Sequence, residues 1–169
     1  MFSKWRSKKE EKHTENMEIT TPLSGNSVPL TEVPDEIFAG GHMGKGIAIE
    51  PIEGKLIAPF DGKVAHVVKT NHAVILEHPS GMQLLLHIGI DTVSLKGKGF
   101  TSHIASGDMI KAGQMLIEFD LEAIRAAGLR TISPVIVTSS EEFTWDVDCH
   151  YGPVTAGKES ILTVASSKK

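Results

Sequence analysis

The tetrad His78-Pro79-Ser80-Gly81 constrains this chain's fold more than any other stretch, because it joins two apolar runs that each carry a histidine at the far end. The runs are His72-Ala73-Val74-Ile75-Leu76-Glu77 and Met82-Gln83-Leu84-Leu85-Leu86-His87. Proline presets one turn dihedral and glycine accepts a positive φ, so the segment predicts a β-hairpin. A four-residue loop makes Glu77 the partner of Met82, matches Ile75 with Leu84 and Val74 with Leu85, and sets His72 directly opposite His87. Directly opposed residues share a face, with Cβ atoms about 4.5 to 5.5 Å apart, so this register predicts two imidazoles side by side. It also predicts a core face of Ala73, Ile75, Leu84 and Leu86, with Val74, Leu76, Gln83, Leu85 and both histidines on the other. A slip of one residue would invert those faces.

With 169 residues and 40% hydrophobic content, the chain suits one domain with a sizeable core. A net charge of −4 and the lack of a basic stretch interleaved with aromatics argue against nucleic-acid binding. No apolar run approaches the roughly 20 residues that span a bilayer, and the first residues lack a signal-peptide pattern, so a cytoplasmic protein is expected. The single cysteine, Cys149, agrees with a reducing compartment. Nothing in the sequence implies a cofactor.

Residues 1–17 are expected to be a flexible tail, since Lys4, Arg6, Lys8, Lys9, Glu10, Glu11, Lys12 and Glu15 leave little to bury. Met1, Phe2 and Trp5 among those basic residues would suit weak contact with an anionic membrane surface. Residues 18–166 form the expected domain. Short Val- and Ile-rich runs at 47–49, 55–58, 63–68, 115–119, 134–137 and 161–164 read as strands, and only 121–128 reads as helix, capped by Asp120 and stopped by Gly128. The pattern predicts an all-β antiparallel sandwich or barrel-sandwich. Thr21-Pro22-Leu23-Ser24-Gly25 and Ala58-Pro59-Phe60-Asp61-Gly62 look alike, which predicts pseudo-symmetric half-motifs. Gly107-Asp108-Met109-Ile110-Lys111-Ala112-Gly113 resembles the second half of biotinyl and lipoyl carrier domains in architecture, without their modifiable lysine.

An imidazole attacks phosphorus through one ring nitrogen if the other keeps its proton on an acceptor. A second imidazole nearby donates to the phosphoryl oxygens. Two adjacent histidines therefore suit reversible phosphoryl transfer.

Gly46-Ile47-Ala48-Ile49, Ala58-Pro59-Phe60-Asp61-Gly62, Thr70-Asn71-His72-Ala73, Leu86-His87-Ile88-Gly89-Ile90-Asp91-Thr92-Val93 and Leu95-Lys96-Gly97-Lys98-Gly99-Phe100 carry a family resemblance. From about Ile19 to Val164 the chain resembles the glucose-class IIA component of the bacterial phosphoenolpyruvate:sugar phosphotransferase system. The resemblance implies that His87 is phosphorylated at its tele nitrogen, Nε2, and that His72 supports the phosphoryl group. It further implies that Thr70 orients His72, that the Gly89 carbonyl accepts from His87, and that Asp91 is a rim carboxylate. The implied partners are the phosphocarrier HPr as donor and the cysteine of a IIB domain as acceptor, reached in trans by a free-standing IIA. Val74 and Leu85 are the expected docking surface. Lys45, in Gly44-Lys45-Gly46 where many relatives have Gly-Asp-Gly, is expected at its rim.

Two other readings compete. A zinc hydrolase of related β-architecture would use a His-x-x-x-Asp such as His87 to Asp91, but also needs a His-x-His pair that this sequence lacks. A regulatory module whose phosphorylation state is read by metabolic enzymes would use the same site. His72 and His87 could also hold zinc with a partner's carboxylate, although two ligands make a weak site. His42, His66, His78, His103 and His150 are expected to have no role, and the sugar served is not encoded here.

Overall fold

A computed structural model describes residues 16–138 and 144–167. In chain order its strands are β1 (Asn16–Thr20), β2 (Gly25–Pro29), β3 (Gly44–Pro51), β4 (Lys55–Ile57), β5 (Gly62–Val67), β6 (Ala73–Glu77), β7 (Gln83–His87), β8 (Phe100–Ser102), β9 (Met109–Ile110), β10 (Met115–Phe119), β11 (Ser133–Thr138), β12 (Thr144–Cys149), β13 (Gly152–Val154) and β14 (Ser160–Ser167). Two short helices, α1 (Glu36–Ala39) and α2 (Leu121–Ala126), and 3-10 turns at Leu30–Glu32 and Thr92–Leu95 complete it. All strand pairs are antiparallel, as expected of a β-sandwich. Met1, Phe2 and Trp5 lie outside the described residues, and β1 begins at Asn16, two residues inside the segment expected to be tail.

An eight-stranded sheet runs β13-β2-β3-β11-β7-β6-β5-β9, beside two three-stranded sheets, β1-β14-β12 and β4-β10-β8. Ile47, Val64, Val74, Leu76, Leu84, Leu86 and Val135 from the large sheet meet Ile19, Leu56, Leu116, Ile117, Leu162 and Val164 from the small ones in the main core. On the large sheet's other face lies a second cluster, in which Ala48, Ala73, Leu85 and Ile136 pack under Leu30, Val33 and Phe38.

The expected half-motif symmetry is present. β1 and β2 pair with β14 and β13, as β4 and β5 pair with β10 and β9. At one corner Thr21 donates to the Glu159 carbonyl at 2.8 Å and accepts from Gly157 at 2.9 Å. At the other, Ala58 donates to Gln114 and accepts from Gly113, both at 2.8 Å.

The hairpin register differs from the expectation by one residue. Glu77 pairs with Gln83, Ile75 with Leu85, Val74 with Leu86 and Ala73 with His87. The cause lies in the turn: His78 N–H donates to the Met82 carbonyl, leaving a three-residue loop in which Gly81 takes a φ of +96°. The His78 ring nitrogen accepts from Ser80 N–H, and Met82 is fully buried, which secures the tighter loop. The side chains of β6 therefore exchange faces relative to the expected pattern, while those of β7 keep theirs, with Leu84 and Leu86 still in the main core. Val74 enters the main core and Leu85 the second cluster, so neither forms a docking surface.

Candidate functional site

His87 ends β7 on the face of Ala73, Ile75 and Leu85, where the Phe38 ring of α1 covers it at a centroid distance of 5.0 Å. His72 falls one position before β6, after Asn71, whose φ is +59°. Its carbonyl still accepts from Ile88 N–H at 2.8 Å. Strict alternation would separate the two imidazoles in this register. The left-handed turn releases His72 from that alternation, and the rings meet edge to face at 4.9 Å. The expected proximity holds although the register that predicted it does not.

Each ring is held at Nδ1. His87 Nδ1 lies 2.7 Å from the Gly89 carbonyl oxygen, and His72 Nδ1 lies 2.6 Å from Thr70 Oγ1. A carbonyl only accepts, so His87 Nδ1 must carry the proton and Nε2 must present its lone pair. Gly89 has a φ of +69°, and a Cβ there would come within 2.8 Å of the Arg130 carbonyl oxygen and 2.7 Å of the Thr92 side chain. Only glycine fits the turn that delivers this acceptor.

Electrostatics keeps both rings neutral at pH 7. Burial, then repulsion from His87, lowers the His72 pKa to about 4. Burial also lowers that of His87, opposed by the Gly89 hydrogen bond and by the charges of Asp35 and Asp91. Asp91 is exposed with a φ of +62° just before the Thr92–Leu95 turn.

Sequence reasoning placed Thr70, His72, His87, Gly89 and Asp91 together, but it missed Asp35 and Phe38. Their signal is Pro34-Asp35-Glu36: Asp35 caps α1 by accepting from Ile37 N–H at 2.9 Å. The helix has only four residues, too short for a visible period. Lys45 is exposed but shares its face with Ile47, because both alternate on β3 and Lys45 pairs with Val137, a main-core residue. It points away from the face that carries His87, contrary to the expected rim position. Among the described residues, no three His, Cys, Asp or Glu side chains gather as a metal would require.

The sequence profile of the phosphoenolpyruvate-dependent sugar phosphotransferase system EIIA 1 family matches residues 17–143. The chain belongs to this family. It is 38% identical over 154 residues to the PTS system glucose-specific EIIA component of Oceanobacillus iheyensis, a match covering 91% of this chain and 93% of that protein. It is 51% identical over 127 residues to the PTS system glucose-specific EIIBCA component of Corynebacterium glutamicum, covering 75% of this chain but 19% of that longer protein. Glucose permease IIA from Mycoplasma capricolum shares the fold, with a TM-score of 0.81 and 34% identity over 88% of this chain and 96% of the other. This EIIA chain is therefore a phosphoryl carrier, a phosphotransferase component of glucose class. The comparisons give the zinc-hydrolase reading no support. No described helix is long and apolar enough to cross a membrane.

Proposed function

We propose that this EIIA accepts a phosphoryl group from phospho-HPr on Nε2 of His87 and passes it to the cysteine of a IIB domain. The observation that carries the reading is the 2.7 Å contact of His87 Nδ1 with the Gly89 carbonyl, which leaves Nε2 as the nucleophile. In the forward step the Nε2 lone pair forms a bond to phosphorus while the donor's N–P bond breaks. Nδ1 keeps its proton on Gly89 throughout. In the second step the cysteine thiolate attacks the same phosphorus, and His87 leaves as a neutral imidazole.

His72 stabilises the transferred charge. With the Thr70 hydroxyl donating to its Nδ1, its Nε2 carries a proton to offer the phosphoryl oxygens. A neutral ring resting beside His87 costs the free protein no repulsion, and the arriving anion favours the donor. Ile37, next to Phe38, and Val93, two residues past Asp91, are each 56% exposed and supply apolar surface for both partners in place of Val74 and Leu85.

Incubating the chain with phosphoenolpyruvate, enzyme I and HPr should add one phosphoryl mass by intact-mass measurement, and His87→Ala should take up none. Normal uptake by that variant would overturn the assignment.

A further inference from the structure

The Gly89 carbonyl can orient His87 only if the peptides on both sides of Gly89 are held, and the hydrogen bonds around them show what holds each. Gly89 N–H donates to Ser133 Oγ at 3.1 Å, and Ser133 Oγ donates to the Thr131 carbonyl at 2.9 Å. Ser133 begins β11 and is 1% exposed, so no water substitutes for it freely. The segment before it is tied back in turn: Thr131 Oγ1 donates to Glu50 Oε2 at 3.2 Å, and Ile90 N–H, in the peptide that carries the Gly89 carbonyl, donates to the Arg130 carbonyl at 3.1 Å. The relay thus runs from β11 through one hydroxyl to the turn after β7 and ends at His87 Nδ1.

We infer that Ser133 is a positioning residue for phosphoryl transfer: its hydroxyl fixes the Ile88–Gly89 peptide, and with it the left-handed turn at Gly89 that aims the Gly89 carbonyl, so that His87 is held in the tautomer and rotation that present Nε2. The effect on the reaction rests on the proposed role of His87, whereas the hold on the ring does not. The hydroxyl suits this place because the Gly89 amide needs an acceptor and the Thr131 carbonyl needs a donor, and one Oγ serves both. Without it, the turn loses a buried anchor, and the ring gains rotations in which Nδ1 no longer meets the carbonyl.

The test uses the full chain and reads the His87 ring directly. In the unsubstituted, unphosphorylated protein, ¹⁵N NMR should show Nδ1 protonated and Nε2 bare. Ser133→Ala should shift both nitrogens toward averaged values and slow labelling by phospho-HPr about three- to tenfold, the range expected for one lost hydrogen bond. Ser133→Cys, with a weaker acceptor, should fall between. A single retained tautomer in Ser133→Ala would overturn the inference whatever happens to the rate. If Ser133→Ala does not fold, Ser133→Cys decides: a mixture of tautomers supports the relay and an unchanged ring overturns it. Labelling of His87→Ala would sink the reading of the site, while the ring signals measured before phosphorylation would still decide what Ser133 holds.

Discussion

The two faces of the eight-stranded sheet are built from adjacent residues and have opposite properties. Facing the small sheets, Val74, Leu76, Leu84 and Leu86 are at most 1% exposed and carry no polar group. On the other face, Ala73, Ile75, Leu85 and His87 meet a thin cover made of α1 and the preceding 3-10 turn, and the sheet ends in a pair of imidazoles, His72 buried and His87 half-buried. One face holds the fold together; the other uses that rigidity to hold reacting groups within a few ångströms. A site placed at the end of a strand, rather than in a mobile loop, gains its geometry from the core beneath.

The sharpest way to break this contrast is to truncate neighbours. His87→Ala should abolish labelling and cost less than about 1 kcal/mol of stability, whereas Leu86→Ala should cost about 2 to 5 kcal/mol, as buried leucines do, and still be labelled when folded. Urea unfolding with the labelling assay measures both. If His87→Ala lost as much stability as Leu86→Ala, the histidine would be a core residue and the division of faces would fail.

Much of this contrast was legible in the sequence, and the part that was not is instructive. The strand content, the Pro-x-x-Gly corners and the Leu86-to-Val93 block all led to the observed architecture. The register did not follow, because loop length was counted from the tetrad, and nothing in the letters says that His78 and Met82 close the loop as a pair. Nor does alternation warn that Asn71, in a left-handed turn, frees His72 from the strand. The two departures offset each other at the histidine pair but carry Val74 into the main core, while Leu85 keeps its face and is buried in the second cluster, and Lys45 follows the alternation of β3. Ser133 and Phe38 reach the site across long sequence separations, which no local pattern encodes.

The next effect in size separates the two imidazoles. His72→Gln should still be phosphorylated, since an amide can donate to a phosphoryl oxygen, but should pass the group to IIB on the order of 10²-fold more slowly. Rapid-quench measurement of both half-reactions tests this. Lost labelling with normal onward transfer would mean that His72 is the acceptor and His87 the support.

Titration sharpens the comparison further. Both rings have lowered pKa values in the folded state, His72 to about 4, with burial the main cause. Between the ordinary histidine value of about 6.5 and that lowered value, the unfolded chain binds a proton that the folded site refuses. Their contribution to stability is therefore complete above about pH 6.5 and is lost as pH falls toward 4. His72→Gln should flatten the fall of the urea midpoint across this window, and an unchanged slope would place His72 in contact with water. In the phosphorylated protein the His72 titration should move upward, because the neighbouring ring then carries an anionic phosphoryl group, and histidine NMR would show it.

The smallest effect is expected at Lys45. It lies near the start of β3, exposed, on the side of Ile47 rather than of His87. A charge on the far side of a sheet acts on an approaching partner mainly through solvent, and salt screens it within about 8 Å at physiological ionic strength. Lys45→Asp should therefore change the initial rate of labelling by phospho-HPr by about twofold or less at low salt, and not at all at high salt. Rates at two ionic strengths decide the matter. A gain of tenfold at low salt would mean that HPr reaches around the end of the sheet to the face of Ile47, and the docking surface would extend beyond Ile37 and Val93.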